Sequence, residues 1–201
     1  HMVDLFPYQV GRIDAFDYIA ERTLLRPRDV IAFVNQCLKE AEGHTEVTAT
    51  HIRRAESEYS RLRREALEQE WQSAFPTLRS LLDFLAEQRR ESFRVNEIAP
   101  SDRLEQLGLN IASERRLEFD PIHSAATEYC NDPSQKAIPF CKEVMSILYR
   151  VGAVGLKLDA TDRFRYSHQD EPVISGAVMP NDTKIRIHPM LHSALKVNLS
   201  R

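Results

Sequence analysis

Glycine is scarce in this chain of 201 residues: there are six, and none falls in a Gly-x-x-x-x-Gly-Lys-[Ser/Thr] run. The phosphate-cradling loop of a P-loop nucleotide hydrolase is therefore missing, since that loop needs glycines to bring backbone N–H groups around a phosphate. Cysteine is scarcer still. Cys37, Cys130 and Cys141 are odd in number and lack Cys-x-x-Cys spacing. That argues against a disulfide framework or zinc ribbon, and the expectation is free thiols in a reducing cytoplasm. No apolar run approaches the roughly 20 residues that span a bilayer, so no membrane partner is expected. An excess of positive charge is also absent: 27 basic and 30 acidic residues leave a net charge of −3. Nothing global therefore marks a nucleic-acid binder.

Catalytic patterns are missing as well. The sequence has no Gly-x-Ser-x-Gly, no calcium-loop spacing, and no base beside Tyr129-Cys130 or Pro139-Phe140-Cys141. His188-x-x-x-His192 offers two imidazoles about one turn apart, but Pro189 makes His188 a boundary residue and no third ligand is near in sequence. No metal is assigned. The chain is read as no enzyme by itself and as holding no cofactor of its own.

The residues present are those of an ordinary globular protein, 42% hydrophobic and 28% charged. Their spacing predicts helices over about 12–22 and 27–42. Ile13, Phe16, Tyr18 and Ile19 would face a core from the first. Val30, Ile31, Phe33, Val34, Cys37, Leu38 and Ala41 form a broad apolar stripe on the second, with Gly43 just past its end. Thr48 or Thr50 caps a long third helix running to about Phe75. Its buried stripe is read as Ile52, Ala55, Tyr59, Leu62 and Ala66, and the opposite face is charged, with Arg61–Glu65 and Arg64–Glu68 spaced to pair. Trp71 and Phe75 anchor its end. That charged face is read first as a solvated surface; the sharper readings make the helix a connecting rod or a partner-binding coil, in which Tyr59 and Leu62 would be the contact residues.

Beyond Phe75, Thr77 caps an amphipathic helix with Leu78, Leu81, Leu82, Phe84 and Leu85 inward. Phe93-Arg94-Val95 reads as a brief strand, 97–135 as short helices broken by prolines, and 137–151 as a clear helix stopped by Gly152. Residues 154–158, 164–166 and 184–188 alternate as strands, and Pro189 opens a final helix. The division is 1–75 and 76–201.

The run Thr23-Leu24-Leu25-Arg26-Pro27-Arg28-Asp29-Val30-Ile31 sets Pro27 at a first helical position and Asp29 in the first turn, where a carboxylate complements the helix dipole. Arg26 and Arg28 flank that end, and a guanidinium fork suits phosphate oxygens. Taken with Tyr18-Ile19-Ala20-Glu21-Arg22 before it and Val47-Thr48-Ala49-Thr50-His51-Ile52-Arg53-Arg54-Ala55 after it, this stretch resembles the helical lid of AAA+ and STAND-like P-loop ATPases. It looks like large bacterial members of uncharacterised role and, more distantly, origin-recognition initiator ATPases. The resemblance implies that Arg28, or as second choice Arg26, senses nucleotide bound to a core outside this sequence, with ATP a ligand of the intact protein only. His1-Met2 reads as the scar of tag removal, and the chain as an excised C-terminal fragment.

The later order of helices, strand, helices and terminal β-ribbon resembles the winged helices that follow such lids. The expected class is thus mainly α (α+β): a helical lid bundle with a long connecting helix, then a winged-helix domain ending in a small antiparallel ribbon. By position 137–151 would be the recognition helix, offering Lys142 and Arg150. The wing would offer Lys157, Arg163, Arg165, Lys184 and Arg186 to DNA phosphates. The function expected is to couple nucleotide state to a DNA or protein partner, the two standing level. The rival readings are a protein-interaction or oligomerisation module and a free-standing winged-helix regulator.

Overall fold

The structure, a computed structural model, describes residues 5–199; His1-Met2, read as a tag scar, lies outside them. It is mainly helical with two small antiparallel sheets, the α+β class expected. Two compact units divide the chain: 1–66 with 189–194, and 67–188 with 195–201. The change-over at Ala66/Leu67 falls inside the long helix rather than at residue 75, because Leu67 and the residues after it pack with the second unit.

The first unit opens with a hairpin that the sequence pattern did not disclose. Strands β1 (Gln9–Val10) and β2 (Ile13–Asp14) pair Gln9 with Asp14 and Val10 with Ile13 around a left-handed Gly11. The first helix is therefore shorter than expected. It is α1 (Ala15–Ala20), capped by Asp14, whose Oδ1 accepts from Phe16 N at 2.8 Å. Tyr18 and Ile19 are buried; Ile13 and Phe16 are not. Helix α2 (Pro27–Glu40) starts on Pro27 as its signals require. It buries Phe33, Val34 and Cys37, whereas Ile31 and Leu38 face outward, so the apolar stripe is narrower than the one read from sequence.

Helix α3 (Ala49–Trp71) is capped by Thr48. Thr48 Oγ1 accepts from His51 N at 3.3 Å, and His51 Nδ1 accepts from Thr48 N at 3.2 Å, a capping box closed by histidine. Its buried stripe begins as expected with Ile52, Ala55 and Tyr59, then continues through Arg63 to Leu67. Leu62 is exposed and Ala66 half-buried, which corrects the sequence reading. In place of a helix, Pro189–Leu191 forms one 3-10 turn, and Ala194 N donates to Ser60 Oγ on α3 at 3.0 Å.

The second unit runs α4 (Leu78–Gln88), β3 (Ser92–Arg94), α5 (Val95–Ile98), α6 (Asp102–Ser113), α7 (Pro121–Asn131), α8 (Pro133–Arg150), β4 (Val154–Lys157) and β5 (Lys184–Ile187). All five apolar residues expected inward on α4 are buried. Thr77 stands at the cap position but does not cap through its side chain: its hydroxyl donates to Asp120 Oδ2 at 2.8 Å and its N–H donates to the same oxygen at 2.9 Å. Gly108 of α6 is needed for close approach to α7, since a Cβ there would lie 2.7 Å from the Tyr129 ring. Tyr129 in turn stacks on Phe140 of α8 at 5.1 Å. Helix α8 is longer than expected, because Asp132 caps it and Pro139 is carried inside it.

The sheet order is β3–β5–β4, with β5 antiparallel to both neighbours. Phe93, Ile185, Ile187, Val154 and Leu156 point into the core. The expected strand at 164–166 contributes only a bridge, Leu156 to Arg165. Tyr166 lies against Gly155, where an added Cβ would meet the ring at 2.6 Å.

Burial pushes the Cys37 and Cys141 thiols from near 9 up to about 12. A folded-state value above the unfolded one gives stability that is complete below about pH 9 and is lost as pH rises toward 12. The urea midpoint should therefore fall between pH 8 and pH 10.5, by about 1 kcal/mol or more in free energy. A midpoint unchanged across that range would refute the burial of these thiols.

Candidate nucleic-acid interface

The cations expected to meet phosphates divide into two groups once folded. Arg163 forms a two-point pair with Asp170, and Asp170 Oδ2 also accepts from Tyr166 N at 2.9 Å. Burial alone would raise the Asp170 carboxyl, but the Tyr166 N–H and the Arg163 and Arg165 charges hold it below the usual carboxylate range. Arg165 lies 3.1 Å from Asp162 and 3.9 Å from Glu171. These five residues line a cleft of about 460 Å³ with three carboxylates against two guanidiniums. Arg186 donates from Nε to Glu91 at 2.7 Å, with its guanidinium 5.7 Å from the Phe164 ring centre. Three of the five wing cations are thus held by carboxylates.

Lys157 and Lys184 are different. They stand opposite each other across β4 and β5, half-exposed, and neither forms an ion pair with another described residue. On the other side of Lys184, β3 places Arg94, an exposed cation that the sequence reading did not select. Arg94 donates to the Asp182 carbonyl at 2.9 Å and lies 3.5 Å from its carboxylate. Asp159 is held below the usual range by the N–H and hydroxyl of Thr161, with Lys157 adding to the effect. Only strand register reveals that residues 94, 184 and 157 are neighbours.

Helix α8 is exposed over residues 133–135 but offers little outward between Phe140 and Tyr149. Phe140, Cys141, Val144, Met145, Ile147, Leu148 and Tyr149 are buried. Ser146 donates to the Ile174 carbonyl at 2.6 Å. Lys142 is half-buried, and Arg150 lies 5.4 Å from the Phe75 ring centre and 5.9 Å from that of Trp71.

In the first unit Arg26 and Arg28 are both exposed at the start of α2. Arg28 Nε lies 3.6 Å from Asp29 Oδ1. Asp29 does more than complement the helix dipole: it is buried, and Arg63 Nη1 of α3 reaches the same oxygen at 3.6 Å. Tyr59 is no partner-facing residue. It is buried, stacks on Phe33 at 4.5 Å, and is pushed well above the usual phenol range by burial, with the Asp29 charge adding. Of the Tyr59–Leu62 pair only Leu62 reaches the surface. Among the described residues, no group of three His, Cys, Asp or Glu side chains is placed to hold a metal, and no helix is long and apolar enough to cross a membrane.

Residues 1–68 match the family described as FunZ-associated C-terminal helical domain, FunZ_C. The matched span nearly coincides with the main segment of the first unit. It makes that segment similar to a C-terminal helical domain; the description names no ATPase. No curated protein and no solved structure matches the chain.

Proposed function

We propose that this chain is a non-catalytic, C-terminal portion of a nucleotide-driven protein, and that its second unit is a winged helix that binds the DNA backbone. The observation that carries the reading is the sheet order β3–β5–β4, with helices between β3 and β4 and the long connection 158–183 between β4 and β5. In a winged helix the first strand likewise pairs with the last, and the last with the middle one. The family match of the first unit to a C-terminal helical domain agrees with a place late in a longer protein. Arg28, exposed at the start of α2, is the residue proposed to sense nucleotide bound elsewhere in that protein, and the movement it triggers would be a domain rotation. The burial of most of α8 between Phe140 and Tyr149 favours backbone contact over base reading, because few side chains of that segment are free to reach a groove.

Fluorescence anisotropy of a short labelled duplex tests this. Binding is expected at about 50 mM salt and should weaken linearly in log–log salt. No binding up to about 100 μM protein, the weak end of the non-specific range, would overturn it.

A further inference from the structure

We infer that the row Arg94–Lys184–Lys157 at one end of the β3–β5–β4 sheet grips the phosphate backbone of duplex DNA without reading its sequence. The inference rests on the DNA-binding reading above and assigns the contact to a face that the recognition-helix comparison would not choose. Register makes the row: Arg94 is opposite Lys184, and Lys184 is opposite Lys157. Directly opposed residues share a face, so all three side chains leave the sheet on the same side. Neighbouring strands are about 4.8 Å apart, so the row spans about 10 Å at the backbone.

Like charges directly opposed across strands are destabilising. The central cation, Lys184, has a cation on each side and no ion pair with a described residue. A phosphate chain laid along the row would supply the missing negative charge. Arg94 has a carboxylate of its own, Asp182 at 3.5 Å, but Asp182 is 68% exposed and its charge is largely solvated. Arg186, Arg163 and Arg165 are tied to the more buried Glu91, Asp170 and Asp162. Because the row is made of long, flexible or planar donors, it contacts phosphates and leaves base edges unread.

The test compares three forms of the whole chain in the anisotropy titration over a salt series. One is unaltered. The second is Arg94→Ala/Lys157→Ala/Lys184→Ala. The third, Arg79→Ala/Arg115→Ala/Arg116→Ala, removes the same charge from exposed positions off the sheet. The row variant should bind at least tenfold more weakly at low salt, with a salt slope shallower by about 2–3, the loss expected for three phosphate contacts. Two duplexes of equal length and different sequence should bind alike. The row variant should melt no lower than the unaltered chain, since repulsion has been removed. If the unaltered chain binds and the row variant keeps its slope, or the control variant loses as much, the inference fails while the DNA reading stands. Preference for one duplex sequence also overturns it. If the unaltered chain binds no DNA, the functional reading itself fails and takes the inference with it.

Discussion

Arg63→Ala is expected to destabilise the first unit by about 3–5 kcal/mol, the usual consequence of leaving one partner of a buried ion pair unopposed. The expectation follows from where the pair sits. Arg63 and Asp29 each keep only 4% of their side-chain surface exposed, and their charged groups approach to 3.6 Å. Asp29 Oδ2 has no hydrogen-bond partner among the described residues. With Arg63 removed, the carboxylate would retain Arg28, whose side chain is 59% exposed and therefore offers a largely solvated charge. Asp29→Ala should also destabilise, because the buried Arg63 loses the carboxylate 3.6 Å away. Replacing both, as Asp29→Leu/Arg63→Leu, should recover most of the loss, because an apolar pair of similar size removes the desolvation penalty along with the attraction. Urea denaturation of the four proteins measures these differences. Single variants within about 1 kcal/mol of the parent would mean that the pair is solvated, contrary to its burial.

That pair also shows where the sequence was legible and where it was not. Periodicity locates α2 and α3, and Pro27 marks the start of the one while Thr48, one of two cap candidates with Thr50, caps the other, because both are local rules. The stripe on α3 was followed correctly to Tyr59 and then lost. The next position of the stripe, four residues on, holds an arginine, and a pattern that treats arginine as solvent-facing steps to Leu62 instead. Nothing local announces that Asp29 waits opposite; only the packing of α2 near α3 does. The β1–β2 hairpin went unseen since two-residue strands leave no alternation to count.

In the second unit three of the four expected strands are legible in the sequence, while their charge balance is not. Nothing in the sequence ranks Lys157 and Lys184 above Arg163, Arg165 and Arg186. Asp170 is seven residues from Arg163, and Glu91 lies far from Arg186 in sequence, so neither neutralisation follows a short-range rule. Arg94 was placed in its strand but given no role, because its adjacency to Lys184 depends on a pairing between distant segments. Residues 97–135 were read only as broken helices, and the residue that organises them, Asp120, was not singled out.

Asp120→Ala is expected to cost the second unit about 3–5 kcal/mol, the larger part of it from groups that Asp120 now satisfies. Its carboxylate is buried and accepts from Thr77 N at 2.9 Å, from Thr77 Oγ1 at 2.8 Å and from Ile122 N at 3.0 Å. Removing it strands two buried donors at the start of α4, at about 1–3 kcal/mol each, and uncaps α7 for about 1 kcal/mol more. The side chain thus joins two helix starts that are far apart in sequence, and this is why Thr77 does not cap α4 with its own hydroxyl. Asp120→Asn should cost less, since its amide oxygen, set where Oδ2 stands, can still accept from both Thr77 donors. Thr77→Val should cost less again, about 1 kcal/mol, because the N–H remains to be met by the carboxylate. The comparison that isolates the tertiary part is Asp132→Ala. Asp132 caps α8 by accepting from Gln135 N at 3.3 Å, but from an exposed position, so its loss should cost about 1 kcal/mol. Thermal or urea unfolding of the four variants orders them. Equal losses for Asp120→Ala and Asp132→Ala would reduce Asp120 to an ordinary cap and remove the tie between α4 and α7.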